Sequence, residues 1–123
     1  MAFNVDNYGN ITLIQGDSGE LVIDGINTDG DYEVYMAIQD KARKPIGTEL
    51  CVHTNRRSSV VFMLTGDYTD LLKVDKNEAF AIYYYGIKVC SGTTLLEDTL
   101  IFGDSEIGDV NTITVYPKKV EGI

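Results

Sequence analysis

The sequence has 123 residues, of which 44% are hydrophobic and 24% charged, and its formal net charge is −9. This length and composition fit one folded domain and disfavour disorder outside the two ends. The acidic balance disfavours nucleic acid as a partner, because an acidic surface repels the phosphate backbone. Basic residues cluster only at residues 41–44, 56–57 and 118–119, in predicted turns or the tail, and are interpreted as solvated charges.

We expect an N-terminal arm over residues 1–9, a β-sandwich domain over residues 10–117 and a C-terminal tail over residues 118–123. The first residues lack the basic and apolar stretches of a signal peptide, so no export is expected. No run approaches the ~18 apolar residues of a membrane span. The sequence therefore predicts a protein made in the cytoplasm, with no membrane insertion.

Apolar residues alternate with polar ones along the first strands. Residues 10–15 and 20–24 flank the turn sequence GDSG and are predicted to form a hairpin, because glycine and aspartate favour tight turns. Residues 32–39 predict a strand with one buried face, by its period of two. That face consists of Tyr32, Val34, Met36 and Ile38.

The middle of the chain predicts two strands and a crossover. Residues 48–54 and 59–64 are strands, and the second is expected to be central because it is almost entirely apolar. Residues 65–74 predict a crossover helix of one to two turns. Asp67 is expected to cap this helix, with acidic Asp70 near its positive end.

Residues 78–90 form the longest strand pattern, and it is apolar or aromatic on both faces. Such a strand is either central under a covering element or part of a subunit interface. Residues 95–102 are predicted to pair with it as a hairpin. Residues 110–116 are the last predicted strand, which pairs either in its own sheet or with a neighbouring subunit. Eight β segments at roughly ten-residue spacing and one short helix predict an all-β sandwich or barrel.

Two cysteines, Cys51 and Cys90, lie in separate predicted strands. Buried free thiols are the favoured interpretation, because the cytosol keeps thiols reduced. A disulfide between sandwich strands is the alternative. Tryptophan is absent, so the core signature of an immunoglobulin domain is missing.

The sequence predicts no catalytic residue, metal or cofactor. His53 is the only histidine and lacks a nucleophile turn, so it is interpreted as a strand-end surface residue. Residues 25–31 resemble an EF-hand loop only superficially, since Gly25 and Met36 occupy ligand positions. The loop with Asp104, Glu106 and Asp109 is interpreted as a solvated acidic loop, with a weak ion site as the alternative.

The segment 11–19, ITLIQGDSG, followed by a strand, resembles the start of the N-terminal immunoglobulin-like domains of bacteriophage baseplate upper and tail-adaptor proteins. The later order is similar to those domains as well, with a helical crossover at residues 68–74 and an aromatic strand at residues 79–89. The stretch from residues 96–101 through residues 112–122 resembles the C-terminal half of small tail-associated phage proteins. The resemblance implies an immunoglobulin-like sandwich of about seven to nine antiparallel strands, and a virion structural protein of the tail, baseplate, neck or head fibre.

A virion protein assembles with copies of itself and with other virion proteins, usually with symmetry. We therefore expect an interface on the long strand and on the N-terminal arm. Its predicted residues are Tyr83, Tyr85, Ile87, Val89, Phe3 and Val5. A carbohydrate- or ligand-binding module with an aromatic platform is the alternative, although Tyr84 must point away from Tyr83 and Tyr85. An enzyme would need a cleft around His53.

Overall fold

The computed structural model describes residues 3–24, 31–55, 59–91, 97–100 and 110–119. Within these residues the fold is all-β, with one short helix. The elements in chain order are β1 (Asn4–Val5), β2 (Ile11–Ile14), β3 (Gly19–Ile23), β4 (Asp31–Gln39), β5 (Leu50–Asn55), β6 (Val60–Leu64), α1 (Gly66–Thr69), β7 (Ala81–Ser91), β8 (Glu97–Leu100) and β9 (Asn111–Tyr116).

The strands form two sheets. The larger sheet is curled and has the order β1-β2-β9-β7-β4-β5, while β8 pairs with the second half of β7. The smaller sheet consists of β3 and β6. The strands were expected to be antiparallel, but β2 runs parallel to β9, so the larger sheet is mixed. The last strand, β9, pairs within its own chain, between β2 and β7. The predicted pairing of residues 95–102 with the long strand is confirmed, because β8 is antiparallel to β7.

One hydrophobic core unites the inner faces of the two sheets. The predicted face of β4 is confirmed, because Val34, Met36 and Ile38 are buried and Tyr32 packs against the core. Alternate side chains on each strand face outward, as the strand period of two requires. The inward residues of the other strands are Ile11, Leu13, Leu21, Ile23, Val60, Phe62, Leu64, Tyr83, Tyr85, Ile87, Val89, Ile113 and Val115.

The hairpin predicted between residues 10–15 and 20–24 is wrong, because the two strands lie in different sheets. Leu13 of β2 pairs with Val115, whereas Leu21 of β3 pairs with Phe62. Gly16, with a φ of +88°, reverses the chain as it leaves the larger sheet. A glycine turn fixes where the chain changes direction but does not decide which strand becomes the neighbour.

The strand β6 was expected to be central, but it belongs to the two-stranded sheet and has one exposed face. Val60, Phe62 and Leu64 are buried, whereas Val61 and Met63 point outward and are 44% and 51% exposed. The sequence looked continuously apolar because the outward positions are also apolar. This exposed face is therefore a surface property and not part of the core.

The crossover helix is a single turn that begins two residues earlier than predicted. Thr65, and not Asp67, is the N-cap, because Thr65 is the last residue with extended backbone. Its Oγ1 accepts a hydrogen bond from the backbone N–H of Tyr68 at 3.3 Å. Asp67 lies in the first turn instead, where a carboxylate is favoured by the positive end of the helix.

Both cysteines are free thiols, as predicted, but Cys51 is exposed and Cys90 is only partly buried. They flank β4 on the outer face, where Cys51 lies opposite Tyr35 and Cys90 lies opposite Glu33. The strand β4 lies between them, so two strand spacings of about 4.8 Å, or roughly 10 Å in total, separate their Cα atoms. A disulfide tolerates no more than roughly 7 Å between Cα atoms. Their positions therefore do not allow a bridge.

The described part of the N-terminal arm packs on its own domain. The short strand β1 pairs with β2, and the Asp6 carboxylate accepts the backbone N–H groups of Tyr8 and Asn10, both at 2.9 Å. The Phe3 ring covers Gly19, since a Cβ atom on Gly19 would lie 2.1 Å from Phe3 Cγ. Glycine at this position therefore leaves room for the ring that fixes the arm.

We expect Gly19→Ala to displace the Phe3 ring and to lower the free energy of unfolding by about 1–3 kcal/mol, the usual effect of overpacking. In the Phe3→Ala background the clash is absent, so the same substitution is expected to change this free energy by less than about 0.5 kcal/mol. Urea unfolding of the four proteins measures the coupling. An equal effect of Gly19→Ala in both backgrounds would contradict the contact.

Candidate protein-binding surfaces

Four of the six residues expected at an interface line the core of this chain. None of these four is more than 9% exposed: Tyr83, Tyr85, Ile87 and Val89. Phe3 is partly buried on Gly19, and Val5 is 39% exposed on β1. The exposed face of β7 therefore consists of the residues that alternate with these buried ones, such as Tyr84, Gly86 and Lys88. A role of the six residues in assembly stays a prediction.

The two inward tyrosines of β7 anchor neighbouring segments through their hydroxyl groups. The Tyr83 hydroxyl donates to the backbone carbonyl of Lys73 at 2.6 Å, and the Tyr85 hydroxyl donates to the carbonyl of Gly9. Burial raises the pKa of both hydroxyls, and nearby carboxylates raise the pKa further. These tyrosines thus hold the chain before β7 and the chain before β2 against the core.

The only histidine lies on the surface, as predicted. His53 is on β5, and its Nε2 lies 3.9 Å from Asp31 Oδ1, with both side chains at least half exposed. In the part of the chain that the structure describes, no three His, Cys, Asp or Glu side chains come together as metal ligands. The predicted acidic loop with Asp104 and Asp109 lies outside the described residues.

A depression crosses the outer face of the larger sheet, and we call it the outer groove. Its floor is the cross-strand pair Ala37 and Gly86, where the absence of large side chains leaves a cavity of about 330 Å³. No atom lies within 4 Å of the position that a Gly86 Cβ would take. Around this floor the cavity is lined by Gln39, Arg43, Tyr84, Tyr85, Ile87, Lys88, Val110 and Asn111.

The groove continues across β4 and β7 towards β5. A second cavity, of about 520 Å³, shares Ala37, Gly86 and Lys88 with the first. Its other lining residues are Tyr35, Glu49 and Cys90. The Tyr35 hydroxyl donates to the Glu33 carboxylate. This hydrogen bond, with the surrounding negative charge, raises the pKa of the Tyr35 hydroxyl. A tyrosine therefore stands at each end of the small-residue floor, with Tyr84 at the near end.

Arg43 is positioned over the near end of the groove by the turn between β4 and β5. The Asp40 carboxylate accepts the backbone N–H groups of Ala42 at 2.8 Å and Lys44 at 3.0 Å. Arg43 has a φ of +65°, a conformation that costs a non-glycine residue on the order of 1–3 kcal/mol. Its guanidinium lies over the Tyr84 ring, 5.3 Å from the centroid.

A second candidate surface lies on the opposite side of the molecule, on the outer face of the smaller sheet. Val22 and Val61 are cross-strand partners, and Met63 lies two residues along β6 from Val61. All three side chains are between 44% and 51% exposed. We call these three residues the apolar patch. Contiguous outward apolar residues on a sheet face are typical of protein-binding surfaces.

No protein-family model matches the sequence, and no curated protein matches it significantly. Among the described residues, no helix is long and apolar enough to cross a membrane.

The sequence interpretation missed the role of Arg43. The basic residues 41–44 were interpreted as solvated turn charges, and Lys41 and Lys44 are indeed exposed. The available signal was the aspartate at position 40, which predicts a turn closed by its own side chain. The stacking partner could not be found this way, because the pairing of Gln39 with Tyr84 depends on the register between β4 and β7.

The buried hydroxyl of Tyr85 predicts a loss of stability at alkaline pH. Its folded-state pKa lies above the ordinary value of 10.0, so above about pH 10 the unfolded chain releases the proton while the folded chain keeps it. The unfolded state then binds fewer protons, and the free energy of unfolding falls as the pH rises. Below about pH 10 the contribution is fully present.

For this one group the decrease is at most about 1.4 kcal/mol per pH unit. We expect urea unfolding between about pH 8 and pH 11 to give a steeper decrease for the wild type than for Tyr85→Phe. Parallel pH profiles of the two proteins would contradict a proton held by Tyr85.

Proposed function

We propose that this chain is a bacteriophage virion structural protein, a tail, baseplate, neck or head-fibre adaptor that acts through protein–protein assembly in the virion. The support from the sequence is the strand–GDSG–strand opening at residues 11–23 and its resemblance to baseplate upper and tail-adaptor domains. Its partners in this proposal are other virion proteins and copies of itself. The proposal involves no catalysis, cofactor, small-molecule substrate or nucleic acid.

The proposal includes an immunoglobulin-like arrangement of the sandwich. Two features support it. The Tyr83 hydroxyl at the start of β7 bonds back to the carbonyl of Lys73 in the preceding connection, as in the tyrosine corner of immunoglobulin-like domains. The second feature is the order β9-β7-β4-β5 in the larger sheet, together with the pair β3 and β6 in the smaller sheet. The two sheets share one core. Such sandwiches are common assembly modules.

The observation that carries the assembly role is the apolar patch. Val22, Val61 and Met63 expose apolar surface side by side on strands whose other face is already buried in the core. Exposed apolar area is stabilised when a partner removes it from water. Glu20, the cross-strand partner of Met63, places a charge beside the patch, as is usual at the rim of a protein interface.

Incorporation into virions tests the proposal. We expect the wild-type chain to be present at fixed stoichiometry in gradient-purified particles from a lysate that expresses the gene. The double variant Val61→Glu with Met63→Glu is expected to fall by about tenfold or more in particle content, because two charges disrupt an apolar interface. Quantitative mass spectrometry of the particles measures both.

The matched control is Leu71→Glu, which places a charge on another apolar side chain of similar exposure, 46%. We expect it to be incorporated like the wild type. Urea unfolding establishes that all three proteins are folded. Absence of the wild-type chain from particles would contradict the virion role, and normal incorporation of the double variant would contradict the role of the patch.

A further inference from the structure

The first cavity of the outer groove has a charge opposite to that of the chain as a whole. The chain carries a net charge of −9, yet the charged residues that line this cavity, among those described, are Arg43 and Lys88. On the other side of the same turn, a cavity of about 370 Å³ has both signs of charge. Its charged lining residues are Asp40, Lys41, Lys73, Asp75 and Glu78. The second cavity of the groove is lined by both Lys88 and Glu49, so the excess of basic residues is confined to the first cavity.

The turn does not need an arginine for its own stability. Its hydrogen bonds are made by the Asp40 carboxylate and by backbone atoms, including Arg43 N–H to the Asp40 carbonyl at 3.0 Å. Glycine would adopt the φ of +65° without strain. Arg43 thus has a strained backbone, and its side chain contacts the Tyr84 ring at the groove. Strain of this kind is typical of functional sites.

The guanidinium over Tyr84 retains hydrogen-bonding capacity. It carries five N–H donors in its plane, and an aromatic ring beneath it occupies its face and not its edge. Among the described residues, no carboxylate forms an ion pair with Arg43. Carboxylates and phosphates both accept two parallel hydrogen bonds from this fork, and the carboxylate is the one that the side chains of an unmodified partner protein supply. The chemistry of the near end of the groove therefore matches a carboxylate.

The floor of the groove favours an extended peptide over a sugar. Ala37 and Gly86 lie side by side, and the space above Gly86 is open, so a peptide backbone can approach the sheet closely. A sugar would stack on the face of an aromatic ring. Arg43 already covers one face of the Tyr84 ring, and Tyr83 and Tyr85 point into the core. Tyr35 at the far end of the floor is then a single ring and not an aromatic platform.

We infer that the outer groove binds an extended segment of a partner protein, with an Asp or Glu side chain of that segment paired to Arg43. Neutral residues of the segment lie over Ala37 and Gly86 towards Tyr35. That the partner is a virion protein rests on the proposed function. That the bound segment is acidic rests on the groove alone.

Synthetic peptides test the inference with the full chain. The probes are a fluorescein-labelled decapeptide of alternating Asp and Thr and its counterpart of alternating Asn and Thr. We expect the Asp peptide to bind at least about ten times more tightly in fluorescence anisotropy, and less tightly at high salt.

Variants of the turn separate the Arg43 fork from general charge. Arg43→Gly is expected to weaken Asp-peptide binding by about tenfold or more while the urea midpoint rises, because glycine relieves the strained φ. Arg43→Lys is expected to weaken binding as well, since an ammonium group does not form the fork. Lys44→Gln is the matched control, because it removes the same charge from the same turn outside the groove. It is expected to change affinity by less than about twofold.

Equal binding of the two peptides, or equal losses in Arg43→Gly and Lys44→Gln, would overturn the inference. So would Arg43-dependent binding of an oligogalacturonate, an acidic sugar, in place of the Asp peptide. The two proposals fail separately. A chain present in particles with no Asp-peptide binding removes only the groove, and Arg43-dependent binding by a chain absent from particles removes only the virion role.

Discussion

The register of β7 is the constraint on which both the core and the outer groove depend. This strand pairs with β4 on one side and with β9 and β8 on the other. Because side chains alternate, a shift of one residue would turn Tyr83 and Tyr85 out of the core and bring Tyr84 and Lys88 into it. The same register places Gly86 beside Ala37. Core packing therefore determines the groove floor without any further constraint.

Two buried hydroxyls make that register more specific than apolar packing alone would. A buried hydroxyl without a partner costs free energy, so Tyr83 and Tyr85 each favour the position in which an acceptor is present. The acceptors are the carbonyls of Lys73 and Gly9. Lys73 lies in the connection between α1 and β7, and Gly9 lies in the connection between β1 and β2. The N-terminal arm and the crossover are consequently coupled to the central strand. Phe3 on Gly19 adds a second attachment for the arm.

Sequence patterns predicted where several elements lie better than which strands of distant segments are neighbours. The inward face of β4, the last strand and the existence of a short crossover helix were all predicted, because each depends on local periodicity or a local cap. The pairing of Leu13 with Val115 and of Leu21 with Phe62 was not, because such pairs depend on burial between distant segments. The exposed side of β6 was hidden for a related reason, since Val61 and Met63 are as apolar as the core. Arg43 at the groove needed both the turn conformation and the β4–β7 register.

The two candidate surfaces lie on opposite sides of the shared core, because each is the outer face of a sheet whose inner face is in that core. One partner on the apolar patch therefore leaves the outer groove accessible to another. The surfaces also differ in chemistry. In the proposed interactions, burial of Val22, Val61 and Met63 would contribute affinity in proportion to area, whereas the Arg43 fork would discriminate by charge and geometry. Under the two proposals the domain would hold two different partners on opposite sides of one core, and this is the arrangement that an adaptor requires.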